Sequence, residues 1–172
     1  ARLFNAAIYL GVDPKDICKY TDSVMFCLSK GLASPVGSML CGSKEFIKKA
    51  RKMRKILGGG LRQAGVLAAC GIVSLEKMID RLQEDHDNAK HLASKLNELE
   101  GFYVNMDKVQ TNMVFCKVYR EGFDFIGFRD ELLKRGIKTN QGVKGTIRFV
   151  TNKDVNREDI DYTIDCIKEV LT

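Results

Sequence analysis

Leu75, Ile79, Leu82, His86, Ala89, Ala93 and Leu96 are spaced alternately four and three residues apart. That is the period of an α-helix with one buried stripe, and a β-strand cannot satisfy it. It predicts a long amphipathic helix through the middle of the chain, closed by Gly101. Such a helix must lie on an apolar surface, so it constrains what stands on either side of it. His86 falls on the stripe. It reads as a hydrogen-bonded core histidine in preference to a catalytic base.

Beyond Gly101 the pattern changes. Tyr103–Met106, Met113–Val118 and Thr146–Val150 read as strands, and Phe123–Arg135 and Arg157–Leu171 as helices. Asn156 is the expected N-cap of the last helix, with Ile160, Ile164, Ile167 and Leu171 as its buried stripe. Strands and helices that alternate in this way predict a small α/β layer. Before the long helix, residues 1–10 are helix-compatible up to Gly11, and Ser23–Leu28 reads as a buried strand. Ser29-Lys30-Gly31 breaks that strand, and Val36–Cys41 reads as another. Ser43 is a fair N-cap for a helix that Gly58-Gly59-Gly60 stops, and Leu67, Cys70 and Val73 share one face of a further helix over 62–74. The expected organisation is a first part over 1–75 and a second over 76–172, the second opening on the long bridging helix.

Composition narrows the function. Hydrophobic residues make up 45% and charged residues 29%, as in soluble globular proteins. No apolar run approaches the roughly 20 residues of a membrane span, and no secretory signal is recognisable, so a cytoplasmic protein is expected. The chain enters an apolar segment directly at Ala1, which predicts truncation from a longer one. Six cysteines without a C-x-x-C pair, and only two histidines, argue against a zinc site and for reduced, mostly buried thiols. The net charge is +6, and residues 44–55 account for all of it, with seven lysines and arginines against Glu45. Phe46, Ile47, Ala50, Met53 and Leu57 recur through the same run at helical spacing. A solvated basic helix face therefore explains the charge better than a nucleic-acid partner, since no aromatic residues interleave to stack bases.

Three places could carry chemistry. Lys30 follows an apolar strand directly, where partial desolvation would lower its pKa and free a neutral amine for attack on an aldehyde. An ordinary surface lysine is the competing reading. Gly58-Gly59-Gly60 with Arg62 could hold an anion on exposed backbone N–H groups, or simply cap a helix. Arg148 alternates with Ile147 and Phe149 in an apolar strand and needs a carboxylate partner, either structural or a substrate's.

Segments in order along the chain resemble one family. Ser23-Val-Met-Phe-Cys-Leu-Ser-Lys30-Gly-Leu-Ala-Ser-Pro-Val-Gly-Ser38 resembles the cofactor-lysine segment of the threonine aldolases. Ala1-Arg2-Leu3-Phe4-Asn5-Ala6 resembles the segment after that family's aspartate-glycine pair. Gly58-Gly-Gly-Leu-Arg62-Gln-Ala-Gly65, Glu84-Asp85-His86, Thr111-Asn112-Met113-Val114-Phe115 and Ile147-Arg148-Phe149-Val150-Thr151 are similar as well. The resemblance implies a low-specificity, fold-type-I pyridoxal-phosphate lyase, of which this is the carboxyl-terminal half. The α/β chain would comprise part of the large cofactor-binding domain and a small C-terminal α/β domain. It implies cleavage of L-threonine, L-allo-threonine and other β-hydroxy-α-amino acids to glycine and an aldehyde, in threonine catabolism and glycine biosynthesis. By the same resemblance, Lys30 carries pyridoxal 5'-phosphate as a Schiff base and Arg2 lies near its phenolic oxygen. Arg148 binds the substrate α-carboxylate, and Arg62 approaches the site across a subunit boundary of a homotetramer built as a dimer of dimers. No metal, nucleic-acid or membrane partner is implied.

Several family elements have no counterpart here: the ring-nitrogen aspartate, the phosphate-binding loop, the group that stacks on the ring and the histidines near the β-hydroxyl. His86 and His91 match none of these. The 172 residues alone are therefore expected to be inactive. Two other readings stand beside this one: a non-catalytic folded interaction domain, and another lyase or racemase of the same fold. Strand 23–28 is also expected to leave an apolar face that a partner chain or a rearrangement must cover.

Overall fold

Residues 2–140 and 142–171 are described by a computed structural model. Ala1, which opens one of the resembling segments, lies outside them. The chain divides into two compact units, residues 1–82 and 83–172.

In the first unit, Asp13 caps helix α2 (Pro14–Cys18), which follows α1 (Arg2–Leu10). Strands β1 (Ser23–Cys27) and β2 (Ser38–Gly42) pair antiparallel, Ser23 opposite Gly42 and Cys27 opposite Ser38. Helices α3 (Lys44–Ile56) and α4 (Gly65–Lys77) follow. Ser43 caps α3 as expected, its hydroxyl accepting from the Phe46 N–H at 3.2 Å. The core is small: Phe4, Leu28, Leu32 and Leu82, with Phe26, Leu75, Met78 and Ile79 against them. Phe4 meets Phe26 edge-on, ring centroids 5.0 Å apart, and this ties α1 to β1.

Two expectations for this unit are corrected. Strand β1 is only half-buried: Phe26 packs on the core but Met25 is 60% exposed, and every residue of β2 is exposed, because the two strands pair only with each other. The apolar stripe of α3 is uncovered too: no residue of that helix is buried, and Leu57 just beyond it is 80% exposed.

The long helix is also two helices. Helix α4 ends at Lys77 and α5 runs Leu82–Asn97. The Met78 N–H still reaches the Ser74 carbonyl, and a tight turn then joins the Leu82 N–H to the Ile79 carbonyl at 3.0 Å. Neither proline nor glycine makes this break. The turn brings Met78, Ile79 and fully buried Leu82 together against the first unit's core, so tertiary burial overrides the local period. The domain opening at 76 therefore does not begin on one continuous bridging helix.

The second unit is a three-stranded antiparallel sheet with helices on one face. Its strands are β3 (Phe102–Val104), β4 (Met113–Val118) and β5 (Thr146–Val150), in that spatial order. A short 3₁₀ turn, Met106–Lys108, replaces the expected end of β3. Asn105 causes this by capping the turn with its side chain, which accepts from the Asp107 N–H. Phe102, Val104, Val114, Cys116, Ile147 and Phe149 point to one face and form the core. Packed with them are residues of α5, α6 (Phe125–Lys134) and α7 (Arg157–Leu171). Asn156 and Asp159 cap α7 reciprocally, each side chain accepting the other's backbone N–H at 2.9 Å.

Both outer strands of this sheet are held by asparagine side chains. Asn97 bonds both backbone groups of Val104 on β3, accepting from its N–H at 2.7 Å and donating to its carbonyl at 2.9 Å. An amide thus stands in for a missing strand. Asn97→Ala removes both bonds and is expected to destabilise the second unit by about 1–2 kcal/mol. Urea unfolding checks this, and an unchanged midpoint would contradict it.

His86 is buried, as the helical stripe predicted. Burial pushes its pKa below the ordinary 6.5, against the opposing pull of Asp85 and Asp87 and with help from Lys90. The unfolded chain therefore binds this proton more readily than the folded one. Stability is level above about pH 6.5 and falls as the pH drops below it, towards the folded pKa. Urea midpoints in His86→Gln should lose this part of the slope, and an unaltered pH profile would refute the assignment.

Candidate active site

Lys30 stands at the tip of a loop that both flanking anchors fix. Leu28 before it and Leu32 after it are buried in the first core. The Leu28 N–H donates to the Gly37 carbonyl at 2.9 Å and the Ser34 N–H to the Leu28 carbonyl at 3.0 Å. The Ser34 and Ser74 hydroxyls bond at 2.8 Å in a buried position. The Ala33 N–H donates to the Lys30 carbonyl at 2.7 Å, and Ala33 itself holds a left-handed backbone, φ +57°. A non-glycine residue in that region costs free energy, which the surrounding anchors hold in place.

Arg2 comes to the same place from the first turn of α1, through the Phe4–Phe26 contact. Arg2, Leu3, Met25, Phe26, Cys27 and Lys30 line a cleft of about 140 Å³. Two cations share it, and no carboxylate among the described residues lines it. Lys30 is exposed, so the expected desolvation at a buried strand end is not met within this chain. The open β1–β2 pair is the reason: only one face of the strand from which the lysine leaves is packed, through Phe26.

The glycine run is a helix cap. Gly58 is left-handed, φ +81°, and its N–H donates to the Lys55 carbonyl, while the Gly59 N–H donates to the Arg54 carbonyl at 2.8 Å. Those two donors close α3 and are not free for an anion. Helix α4 starts only at Gly65, and Arg62 sits exposed on the loop before it, outside the Lys30 cleft.

Arg148 belongs to the second unit. It lies on the open face of β5 opposite Phe115 of β4, and it is exposed. No described carboxylate pairs with its guanidinium, so the structural partner considered for it is not found among the described residues. Its backbone N–H donates to the Asn140 side-chain oxygen at 3.1 Å. Sequence reasoning passed over Asn140, because an asparagine in Lys138-Thr139-Asn140 reads as an ordinary loop residue. Its signal is the short Val143–Thr146 turn, which returns the chain to β5.

Other residues of the resembling segments have structural work. The Asn112 amide donates to the Thr151 carbonyl at 2.8 Å, and the Thr151 hydroxyl donates to the Asp85 carbonyl at 2.6 Å. Among the cysteines only Cys116 and Cys166 are buried, and burial pushes the Cys116 thiol up to about 11. Cys41 is exposed and the other three are half-buried, so mostly buried thiols is corrected for the same open first unit.

Comparison with known proteins bears on the family and the fold. The beta-eliminating lyase family model matches residues 1–118. "Low-specificity L-threonine aldolase 1" of Arabidopsis thaliana is 43% identical over 99% of this chain and 48% of its own length. The low specificity L-threonine aldolase of Escherichia coli K12 is 43% identical over 93% of this chain and 46% of its own. The chain spans about half the length of the curated relatives it matches. Among solved structures, a candidate L-allo-threonine aldolase of Listeria monocytogenes EGD-E superposes with a TM-score of 0.81 at 20% identity, over 98% of this chain and 50% of that one. Serine palmitoyltransferase of Sphingomonas wittichii gives 0.68 at 14% identity, over 91% and 41%. Identities this low establish the fold alone, which is the α/β fold of the fold-type-I enzymes. With the family model and the curated relatives taken together, the chain belongs to the beta-eliminating lyase family, beside proteins named low-specificity L-threonine aldolases.

Proposed function

We propose that the whole protein is a pyridoxal-phosphate-dependent aldolase that cleaves L-threonine and L-allo-threonine to glycine and acetaldehyde. The observation that carries this reading is Lys30 held at the tip of a fixed loop, with Arg2 on the same cleft. Bound pyridoxal phosphate supplies an aldehyde carbon and an electron-withdrawing ring. The residues present fit one edge of it: Lys30 offers a primary amine suited to an aldehyde, and Arg2 a fixed cation suited to an anionic oxygen. Arg148, exposed and without an ion-pair partner among the described residues, offers a planar fork for the α-carboxylate. Arg62, exposed and away from the cleft, would reach the site of a neighbouring subunit.

The same cleft supports the reading that these 172 residues are inactive alone. Its 140 Å³ falls well short of the roughly 300–1,000 Å³ of a small-molecule site, and no carboxylate among the described residues lines it to pair with a ring nitrogen. Exposed apolar residues on the first unit, Met25, Ile56, Leu57 and Val66 among them, support a homo-oligomer, read here as a dimer of dimers. Six cysteines without a disulfide fit a reducing, cytoplasmic setting, with a role in threonine catabolism and glycine supply.

The test is turnover. The purified whole protein with added cofactor should release glycine and acetaldehyde from L-threonine and L-allo-threonine. Failure on both substrates would refute the reaction. Cleavage by a chain whose intact mass is that of the 172 residues would refute the inactivity.

A further inference from the structure

Strand β5 is the outer strand of its sheet, so backbone groups on its far side have no strand to meet. At Arg148 this gap is filled by a side chain: the Arg148 N–H donates to the Asn140 amide oxygen at 3.1 Å. The chain reaches this position through a tight turn. Val143 and Thr146 exchange both backbone hydrogen bonds, at 3.0 and 3.1 Å, around Lys144 (φ +50°) and Gly145 (φ +75°). Two successive left-handed residues make a hairpin turn that brings Val143 back beside Thr146 at the edge of β5. Asn97 does the equivalent for Val104 at the opposite edge, so an asparagine amide replacing a strand occurs twice in this unit.

The Arg148 guanidinium has no ion-pair partner among the described residues. Its position therefore follows from its backbone and from its neighbour across the strand, Phe115. We infer that Asn140 is a positioning residue for carboxylate recognition: by holding the backbone at Arg148 it fixes where the guanidinium fork is presented. This rests on the reading of Arg148 as the α-carboxylate site. Without Asn140 the edge N–H turns to water, the strand end loosens at Arg148, and a two-point contact loses its fixed geometry.

The test uses the whole holoenzyme and two probes: glycine, which carries an α-carboxylate, and ethanolamine, which does not. Asn140→Ala should weaken glycine binding about 3- to 10-fold, the range of one hydrogen bond. Ethanolamine binding should be unchanged. KM for threonine should rise by the same factor with kcat nearly constant, and the Arg148 amide should exchange with solvent faster than in the parent. Asn140→Asp keeps an acceptor oxygen and should keep that amide protected. Arg148→Lys is the control, and it should also weaken glycine selectively. If Arg148→Lys discriminates between the probes and Asn140→Ala does not, the role of Asn140 is overturned alone. If Arg148→Lys itself fails to discriminate, the carboxylate reading falls and this inference falls with it. Should Asn140→Ala fail to fold, the Arg148 amide in Asn140→Asp decides: protection supports the inference, and free exchange overturns it.

Discussion

Lys30→Ala in the whole protein is expected to lower threonine cleavage by on the order of a thousandfold or more, because it removes the reacting amine itself. Lys30→Arg should fall as far. It keeps the positive charge, but a guanidinium does not give up its proton and offers no free amine. Neither change should cost much stability. Lys30 is exposed, and its loop is held by Leu28, Leu32 and the Ser34–Ser74 bond rather than by the lysine. Turnover measured beside the urea midpoint separates the two effects. Activity within tenfold of the parent, or a loss of activity that follows a loss of folding, would contradict the assignment.

The largest effect on stability is expected from Phe128→Ala. Phe128 is buried in α6, and its ring lies 6.1 Å from Phe102 and 5.1 Å from Phe123, centroid to centroid. Phe102 meets Phe123 edge-on at 6.0 Å, so three rings from β3 and the α6 region form one aromatic core. Truncating the ring in the middle loses its transfer free energy and leaves a cavity that two rigid neighbours cannot close, about 3–5 kcal/mol. A domain has about 5–15 kcal/mol in total, so the second unit should be near unfolding. Met25→Ala in the exposed hairpin should stay within about 0.5 kcal/mol when compared on the same 172-residue chain. Similar midpoints for the two variants would contradict the contrast between a packed second unit and an open first one.

That contrast also marks how far the sequence could be read. In the second unit, β4, β5 and α7 lie where the alternation and the helical stripe place them, because each period is satisfied by burial inside the unit. In the first unit the elements formed, since Ser43, Gly58 and the β1–β2 pairing are local, but apolar residues such as Met25, Leu40 and Ile56 stayed open. Periodicity reports that a face is suited to burial and says nothing of what covers it. The break between α4 and α5 was invisible for the same reason: Met78, Ile79 and Leu82 obey the helical period, and only the core they join makes the chain turn.

The site divides in the same way. Lys30 stands out weakly by its place after an apolar strand, Arg2 is legible only through the resemblance of whole segments, and the structure adds that they share a cleft. Of the two readings open for the glycine run, the helix cap is the one the structure shows, because sequence displays donors without showing which carbonyls they meet. Asn140 was missed because its partner stands eight residues away around a turn whose geometry depends on left-handed Lys144.

Lys30 is the residue proposed to carry the cofactor. Borohydride reduction of the whole protein with bound pyridoxal phosphate, followed by peptide mapping, tests it most directly. A single pyridoxyl-bearing peptide is expected, with the label on Lys30 in the segment Ser23 to Ser38. A label on any other lysine, with Lys30 unmodified, would contradict it.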